Sequence, residues 1–358
     1  MKVFLWGTGN VAETFLRQCQ TLSQYEVLGF IDNNPEKQGS VFWEVPVYAP
    51  EILKETEPDR IVILSDSYEE IYQQIMGISP FLEPKIENKN FFYKESILKR
   101  YEMTEDREIL QVLKYIKKNG LDIFNYEFAE KYKNIPVEVF WDSDRGMFYV
   151  IHKRKRLYFS RDLDNNQKVT KYYRFLLMEQ DSQSPHKYLS QYEEIEAGSV
   201  VADVGAAEGL FSIEIIDRVS KLYILEADPG WVEALKATFE DYSDKAVIIE
   251  KFISSYDDGN MAALDSLING PVNFIKMDIE GNEWDALQGA KRIIQESINL
   301  KCAICCYHGD FDQVLIEDFM DKNNLQYHTT SGFIWFPWTI RQNYVSTRLN
   351  RAVVRGYR

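Results

Sequence analysis

Short apolar runs alternate with segments of helical periodicity over two stretches of the chain. In the first, Val3–Trp6, Glu26–Ile31, Val45–Val47 and Arg60–Leu64 read as strands. Helical patterns follow Gly7-Thr8-Gly9-Asn10, begin at the proline-capped segment Pro50–Leu53, and run from Tyr68 to Met76. Strands separated by helices imply a parallel sheet with helices wound over it. In the second stretch the alternation restarts at Ser199. Strands are expected at Val200–Val204, Leu222–Leu225, Ala246–Ile249, Val272–Met277 and Cys302–Tyr307, with a helix over Leu210–Val219 and a β-rich end from Gln326 to Trp338.

Between these stretches the pattern changes. Ile109, Val112, Leu113 and Ile116 share one face of a helical region over ~104–135. Val137–Trp141, Met147–Ile151 and Leu157–Phe159 read as an antiparallel meander with polar turns, and Lys171–Gln180 as a tyrosine-rich helix. The expectation is an α/β chain in three parts. Residues 1–97 form a Rossmann-like nucleotide-binding, nucleotide-sugar-binding or scaffold domain. Residues 98–182 form a helical linker and β-meander, and residues 183–358 a second doubly wound domain.

Chemistry concentrates at the ends of the predicted strands. Asp203-Val204-Gly205-Ala206-Ala207-Glu208-Gly209 sits where a buried strand turns into a helix, and glycines there let a ligand approach the backbone. Glu226, followed by Ala227, lies 23 residues after Asp203 at the end of the next strand, where an acid accepts ribose hydroxyls. The G-x-x-x-G spacing with Glu208 inside it is poor for a pyrophosphate. It suits the ammonium and sulfonium of S-adenosylmethionine, which acids attract. Further acids, Asp278, Glu280 and Glu283, follow Lys276 at the fourth strand end, and Tyr307-His308-Gly309-Asp310 ends the fifth. His186 and Tyr188 in the segment SPHKY precede the first strand and are candidates for the substrate pocket.

The amino-terminal turn, Gly7-Thr8-Gly9-Asn10-Val11-Ala12, is a G-x-G-x-x-A fingerprint with Asp32 23 residues after Gly9. It points to a nucleotide site formed by Gly7, Gly9, Asn10 and Asp32. No Tyr-x-x-x-Lys pair accompanies it, so binding or scaffolding is expected rather than redox chemistry.

Charge and cysteine usage narrow the partners. With 41 Lys+Arg against 56 Asp+Glu and a net charge of −15, the chain is a poor match for nucleic acid. Lys153-Arg154-Lys155-Arg156 is the exception, a basic turn suited to an acidic group on a substrate. Arg341, Arg348, Arg351, Arg355 and Arg358 add to that surface or to a homo-oligomer contact. The spacing of Cys302, Cys305, Cys306 and His308 suggests a metal site. A strand, however, sends alternate side chains to opposite faces, so reduced core thiols are expected. No stretch approaches a membrane span or a signal segment, and a cytoplasmic location is expected.

DVGAAEG, LEADP, ALDSL (Ala263–Leu267) and FIKMDIEGNEWDALQGA (Phe274–Ala290) together resemble the FkbM family of methyltransferases, over about Ser184 to Met320. EQDSQSPHKYL and CYHGDFD resemble a bacterial subgroup of it. The resemblance implies a class I methyltransferase fold, S-adenosylmethionine as donor, and O-methylation of a hydroxyl on a sugar, nucleotide-sugar or surface glycan. It implies that Asp203, Gly205, Ala206 and Gly209 hold the methionine half, that Glu226 and Ala227 hold the ribose, and that Asp278, Glu280 and Glu283 border the transfer site. His308 is expected to take the proton, with Asp278 orienting it or the substrate. The rival is a divalent cation on Asp278, Glu280 or His308. An NAD-dependent sugar-nucleotide enzyme using the amino-terminal fingerprint, and a non-catalytic nucleotide-binding scaffold, remain as alternatives.

Overall fold

The computed structural model describes residues 1–191, 195–309, 311–337 and 344–358. The chain divides into two compact units, one of residues 1–123 with 337–349, the other of residues 124–336 with 350–358.

The first unit is built on a sheet of β1 (Lys2–Trp6), β2 (Glu26–Ile31), β3 (Val41–Phe42), β4 (Val45–Tyr48), β5 (Arg60–Ile63) and β6 (Ile86–Asn88), ordered β3-β4-β2-β1-β5-β6. Only the β3–β4 hairpin is antiparallel. α1 (Asn10–Gln18), α2 (Tyr68–Ile78), α3 (Phe91–Arg100) and α4 (Arg107–Asn119) accompany it. Phe4, Trp6, Ile31, Ile61, Ile63, Ile71 and Ile75 pack one core. Phe15 meets Phe92 at 5.5 Å between ring centroids. Within the helical region expected over ~104–135, α4 covers Arg107–Asn119. It starts after Asp106, whose carboxylate caps the amides of Glu108 and Ile109, and stops at Gly120, where φ is 90°.

The second unit begins with the one-turn α5 (Glu127–Glu130) and the antiparallel meander β7 (Val139–Asp142), β8 (Met147–His152) and β9 (Lys155–Tyr158). α6 (Asn166–Glu179) follows, capped by the Asn165 side chain on the Lys168 amide. The main sheet then forms from β10 (Val200–Val204), β11 (Lys221–Glu226) and β12 (Ala246–Glu250), with α7 (Leu210–Ile215) and α8 (Pro229–Thr238) between them. The short pair β13 (Phe252–Ile253) and β14 (Met261–Ala262) and the turn α9 (Leu264–Leu267) lead to β15 (Phe274–Met277). α10 (Glu283–Gln288), α11 (Lys291–Glu296), β16 (Lys301–Cys305), α12 (Asp312–Lys322), β17 (Gln326–Thr329) and β18 (Val353–Tyr357) complete the unit.

The sheet order is β12-β11-β10-β15-β16-β18-β17, parallel except for β18, which is antiparallel to both neighbours. Val204, Leu225, Ile275, Met277, Leu287, Ile304 and Phe319 form its core. The order in which strands are added reverses between β10 and β15, the position at which open α/β sheets form a ligand crevice at the strand carboxyl ends.

Three expectations are corrected. The helix after Gly209 ends at Ile215 rather than Val219. The β-rich end contributes β17 alone, with Trp338 outside the described residues. The last strand, β18, is formed by VVRGY at the end of the chain, where pairing to β16 and β17 supplies an order that local pattern does not announce.

Candidate active site

The turn after β10 is fixed from below. Asp203 is fully buried; its Oδ2 accepts the Ser212 hydroxyl at 2.7 Å and its Oδ1 lies 3.1 Å from Lys276 Nζ. Lys276 also donates to the Gly205 carbonyl and stands 5.1 Å over the Tyr188 ring. Burial opposes its charge, but Asp203 and then Asp278 overcome this and raise its pKa. Asp203 therefore anchors the turn through the lysine instead of lining the crevice. Gly205 has φ 77°, and a Cβ there would fall 1.9 Å from the Asp278 carbonyl oxygen. Only glycine lets the two strand ends close together.

Ala206 donates its amide to Leu225 at 3.1 Å, and Gly209 leads into α7. Glu226 is gripped by backbone amides: Ala207 at 2.8 Å on Oε2, and Ala227 at 2.7 Å and Asp228 at 2.8 Å on Oε1. This orients the carboxylate at the carboxyl end of β11. Glu208 is buried, accepting from the Tyr172 hydroxyl at 3.1 Å and the Leu210 amide at 3.2 Å. Burial nevertheless pushes its pKa up to about 7. Trp231 stacks on Tyr172 with centroids 5.4 Å apart.

Asp278 is the hub of the side-chain cluster after β15. Its Oδ2 takes the Tyr188 hydroxyl at 2.7 Å and its Oδ1 the Tyr307 hydroxyl at 3.2 Å. His308 Nε2 lies 3.5 Å from Oδ1 and His186 Nε2 3.6 Å from Oδ2. Burial works against a charge on Asp278, but the neighbouring His186, His308 and Lys276 and the Tyr188 hydroxyl hold it well below the usual carboxylate range. His308 Nδ1 lies 3.0 Å from Glu283 Oε1, which also accepts the Ile279 amide at 2.9 Å. Burial alone would lower the His308 pKa; Glu283 and then Asp278 raise it instead. Burial pushes His186 down to about 4, so it stays a neutral partner of Tyr307, 2.9 Å away. Phe336 covers this cluster, 5.2 Å from the His308 ring.

The remaining candidates are distributed differently. Glu280 is exposed on a left-handed turn, φ 54°, away from this ring of contacts. Lys153 pairs with Glu214 and Lys155 with Asp217, both at 2.6 Å, so α7 and the residues after it neutralise much of the basic turn. Arg154 is exposed. Arg351 donates to Gly332, Arg355 to Lys187, and Arg358 to Ile294 and Asn323. These tail arginines thus tie down their own unit. Asp310 and Arg341 lie outside the described residues. All four cysteines are free and buried, yet Cys305 Sγ reaches within 3.9 Å of His186 Nε2.

Two further groups carry no motif signal. Glu179, at the end of α6, has its pKa raised by burial and by Asp278 and Glu208. Tyr172, seven residues and about two turns earlier on α6, donates its hydroxyl to Glu208. Asp278 stays ionised and gives the site a negative charge, while burial pushes Glu179 and Glu208 toward their neutral forms. Two groups place one ligand atom each within 4.8 Å of the others: Asp278, Glu283 and His308, and His186, Asp278 and Cys305.

A doubly wound sheet with a glycine turn, a ribose-type acid on the second strand and a carboxylate-rich crevice defines the class I methyltransferase fold. Residues 157–328 match the Methyltransferase FkbM domain, and residues 1–83 the C2185-like N-terminal domain. Residues 157–328 thus form an FkbM methyltransferase domain, of the S-adenosylmethionine-dependent methyltransferases, and residues 1–83 a C2185-like amino-terminal domain. Similar solved structures include methyltransferase FkbM from Methylobacillus flagellatus KT, at 14% identity, covering 99% of this chain and 90% of that one, TM-score 0.47. Another is precorrin-6y C5,15-methyltransferase from Geobacter metallireducens GS-15, at 11% identity, 49% and 90% coverage, TM-score 0.35. A SAM dependent methyltransferase from Aquifex aeolicus matches at 14% identity, 54% and 97% coverage, TM-score 0.33. No curated protein matches the chain. Among the described residues no helix is long and apolar enough to cross a membrane.

Proposed function

We propose that the enzyme methylates a hydroxyl of a sugar, nucleotide-sugar or surface glycan, in the cytoplasm, with His308 as the proton acceptor. The observation that carries this reading is the position of His308, between Glu283 at Nδ1 and Asp278 at Nε2. S-adenosylmethionine supplies an electrophilic methyl group on a sulfonium.

A hydroxyl is a weak nucleophile, and its proton must leave as the new C–O bond forms and the C–S bond breaks. Asp278 is the better-exposed member, its side chain 16% accessible against 2% for His308. In this reading an acceptor hydroxyl meets Asp278 first, and its proton passes to His308 Nε2. Asp278, with its lowered pKa, makes a poor base. His308, with its raised pKa, is the stronger one, and Glu283 fixes its ring. Tyr188 and Tyr307 orient Asp278, and His186 orients Tyr307.

On the donor side, Glu226 would take the ribose hydroxyls. The turn Gly205–Gly209 would receive the methionine half, and Glu208 and Glu179 would face its positive charges. Ala206 and Ala227 contribute backbone here, while Asp203 acts through Lys276. Glu280, Lys153 and Arg154 would touch only a large acceptor.

Glu283 at Nδ1 and Asp278 at Nε2 hold the His308 ring from two sides, which supports an oriented base; the same three side chains place one ligand atom each within 4.8 Å of the others, so a divalent cation is the rival. Buried free cysteines are compatible with a reducing compartment.

The test is methyl transfer from labelled donor to a panel of nucleotide-sugars and glycan fragments, with the product located by mass spectrometry. A methyl ether on a sugar hydroxyl is expected. Transfer confined to nitrogen or carboxylate acceptors overturns the acceptor class. Near wild-type activity in His308→Ala overturns the base, and loss of activity in chelator that added magnesium restores favours the cation. Thermal stabilisation by S-adenosylhomocysteine and not by NADH separates this reading from a nicotinamide enzyme.

A further inference from the structure

The amino-terminal unit holds a cavity of about 520 Å³ that the methyltransferase chemistry does not use. It lies outside the carboxyl ends of β1, β2 and β5, where the wound sheet changes direction between β1 and β5. Open α/β sheets bind ligands at that position, and the volume is that of a small-molecule site.

The two glycines at its floor differ in purpose. A Cβ on Gly7 would fall 2.6 Å from the Leu64 carbonyl oxygen, so this glycine is required by the fold. Gly9 has an ordinary φ of −92°, and a Cβ there would meet nothing within 4 Å. The fold leaves that space open, toward the cavity.

The polar lining selects a ligand with two kinds of group. The start of α1 has no side-chain cap, so its first amides are directed to whatever fills the turn. Lys37 stands beside them, its Nζ 3.1 Å from Thr8 Oγ1 and 3.6 Å from Asp32 Oδ2. That corner suits a phosphate. Across the cavity Ser65, Asp66 and Glu70 offer acceptors for hydroxyl groups.

Asp32, the strand-end acid, already accepts from the Thr8 amide at 3.1 Å, the Thr8 hydroxyl and the Asn34 amide at 2.9 Å. Three donors fix its carboxylate as part of the turn, as three amides fix Glu226, and Oδ1 keeps room for one further hydroxyl.

We propose that this cavity binds a phosphate joined to a hydroxyl-bearing ring, as in a sugar phosphate or a nucleotide. The phosphate sits on the Gly9–Val11 amides beside Lys37, and the hydroxyls face Ser65 and Asp66.

The experiment is calorimetric titration of the full chain with UDP-glucose, UDP, glucose 1-phosphate, inorganic phosphate and NADH. At least one of the first three is expected to bind at one site per chain. UDP binding as tightly as UDP-glucose assigns the nucleotide as the recognised part, and glucose 1-phosphate binding alone assigns the sugar phosphate. Gly9→Val, which fills space the fold does not need, and Lys37→Ala are expected to weaken binding about tenfold or more. Both are expected to leave S-adenosylhomocysteine binding unchanged. Absence of binding by all three ligands overturns the proposal. So does binding unchanged in both variants, NADH binding more tightly, or inorganic phosphate binding as tightly as the ring-bearing ligands.

Discussion

Lys276 Nζ lies 3.1 Å from Asp203 Oδ1, with the lysine side chain 4% accessible and the aspartate 0%. The pair joins the ends of β10 and β15 and holds the Gly205 carbonyl in place. Removing one partner strands the other charge in the core, which typically costs about 3–5 kcal/mol. Lys276→Met is therefore expected to lower the urea midpoint and abolish donor binding. The double variant Lys276→Met with Asp203→Leu is expected to regain stability without regaining binding. Equal instability of the double variant would contradict the role assigned to the pair.

Gly205 tests the same junction by steric means. Gly205→Ala places a methyl group against the Asp278 carbonyl at a residue with positive φ. Loss of S-adenosylhomocysteine binding, with the far-ultraviolet circular dichroism retained, is the expected result.

The His308 reading predicts a pH profile. Glu283 and Asp278 stabilise the imidazolium, so the folded pKa lies above 6.5. Activity should rise with pH through a midpoint above that value, as the ring loses its proton and becomes a base. Glu283→Gln removes a negative neighbour, so the midpoint should move down. The linked stability has the opposite slope: it is fully present below 6.5 and is lost as pH rises through the folded pKa. His308→Ala should lower kcat by roughly 10²–10⁴-fold, the usual contribution of a positioned base.

Glu208 predicts a difference between donor and product. With its pKa pushed up to about 7 by burial, it gains charge between mildly acidic and mildly alkaline pH. A cationic donor should bind more tightly as pH rises through 7, while neutral-sulfur S-adenosylhomocysteine should respond less. Glu208→Gln should remove that difference. Without ligand, a carboxyl raised in the fold makes the protein less stable as pH climbs from its ordinary value to 7. Calorimetric titration of both ligands from pH 6 to pH 8 checks the first claim, and thermal unfolding without ligand checks the second.

Local pattern alone placed the strands Val200–Val204 and Glu26–Ile31, because an apolar run ending at a glycine or acidic turn carries its own boundaries. It also brought the Gly205–Gly209 turn, Glu226 and the acids after Lys276 to one sheet edge, since spacing along a wound sheet gathers strand ends there. Which acid does what was decided in three dimensions. Asp203 and Asp278 look alike in sequence, yet one is sealed under Lys276 and the other opens to the crevice. Lys153 and Lys155 looked free until α7 supplied Glu214 and the loop beyond it Asp217. Asp32 looked like a free strand-end acid, yet Thr8 and Asn34 hold it as part of the turn. Sequence spacing fixes which end of a strand a residue occupies, but the direction of a side chain and the partner that shifts its pKa come from elements remote in the chain. For Glu208 and Asp278 those elements include α6 and the segment at Tyr188.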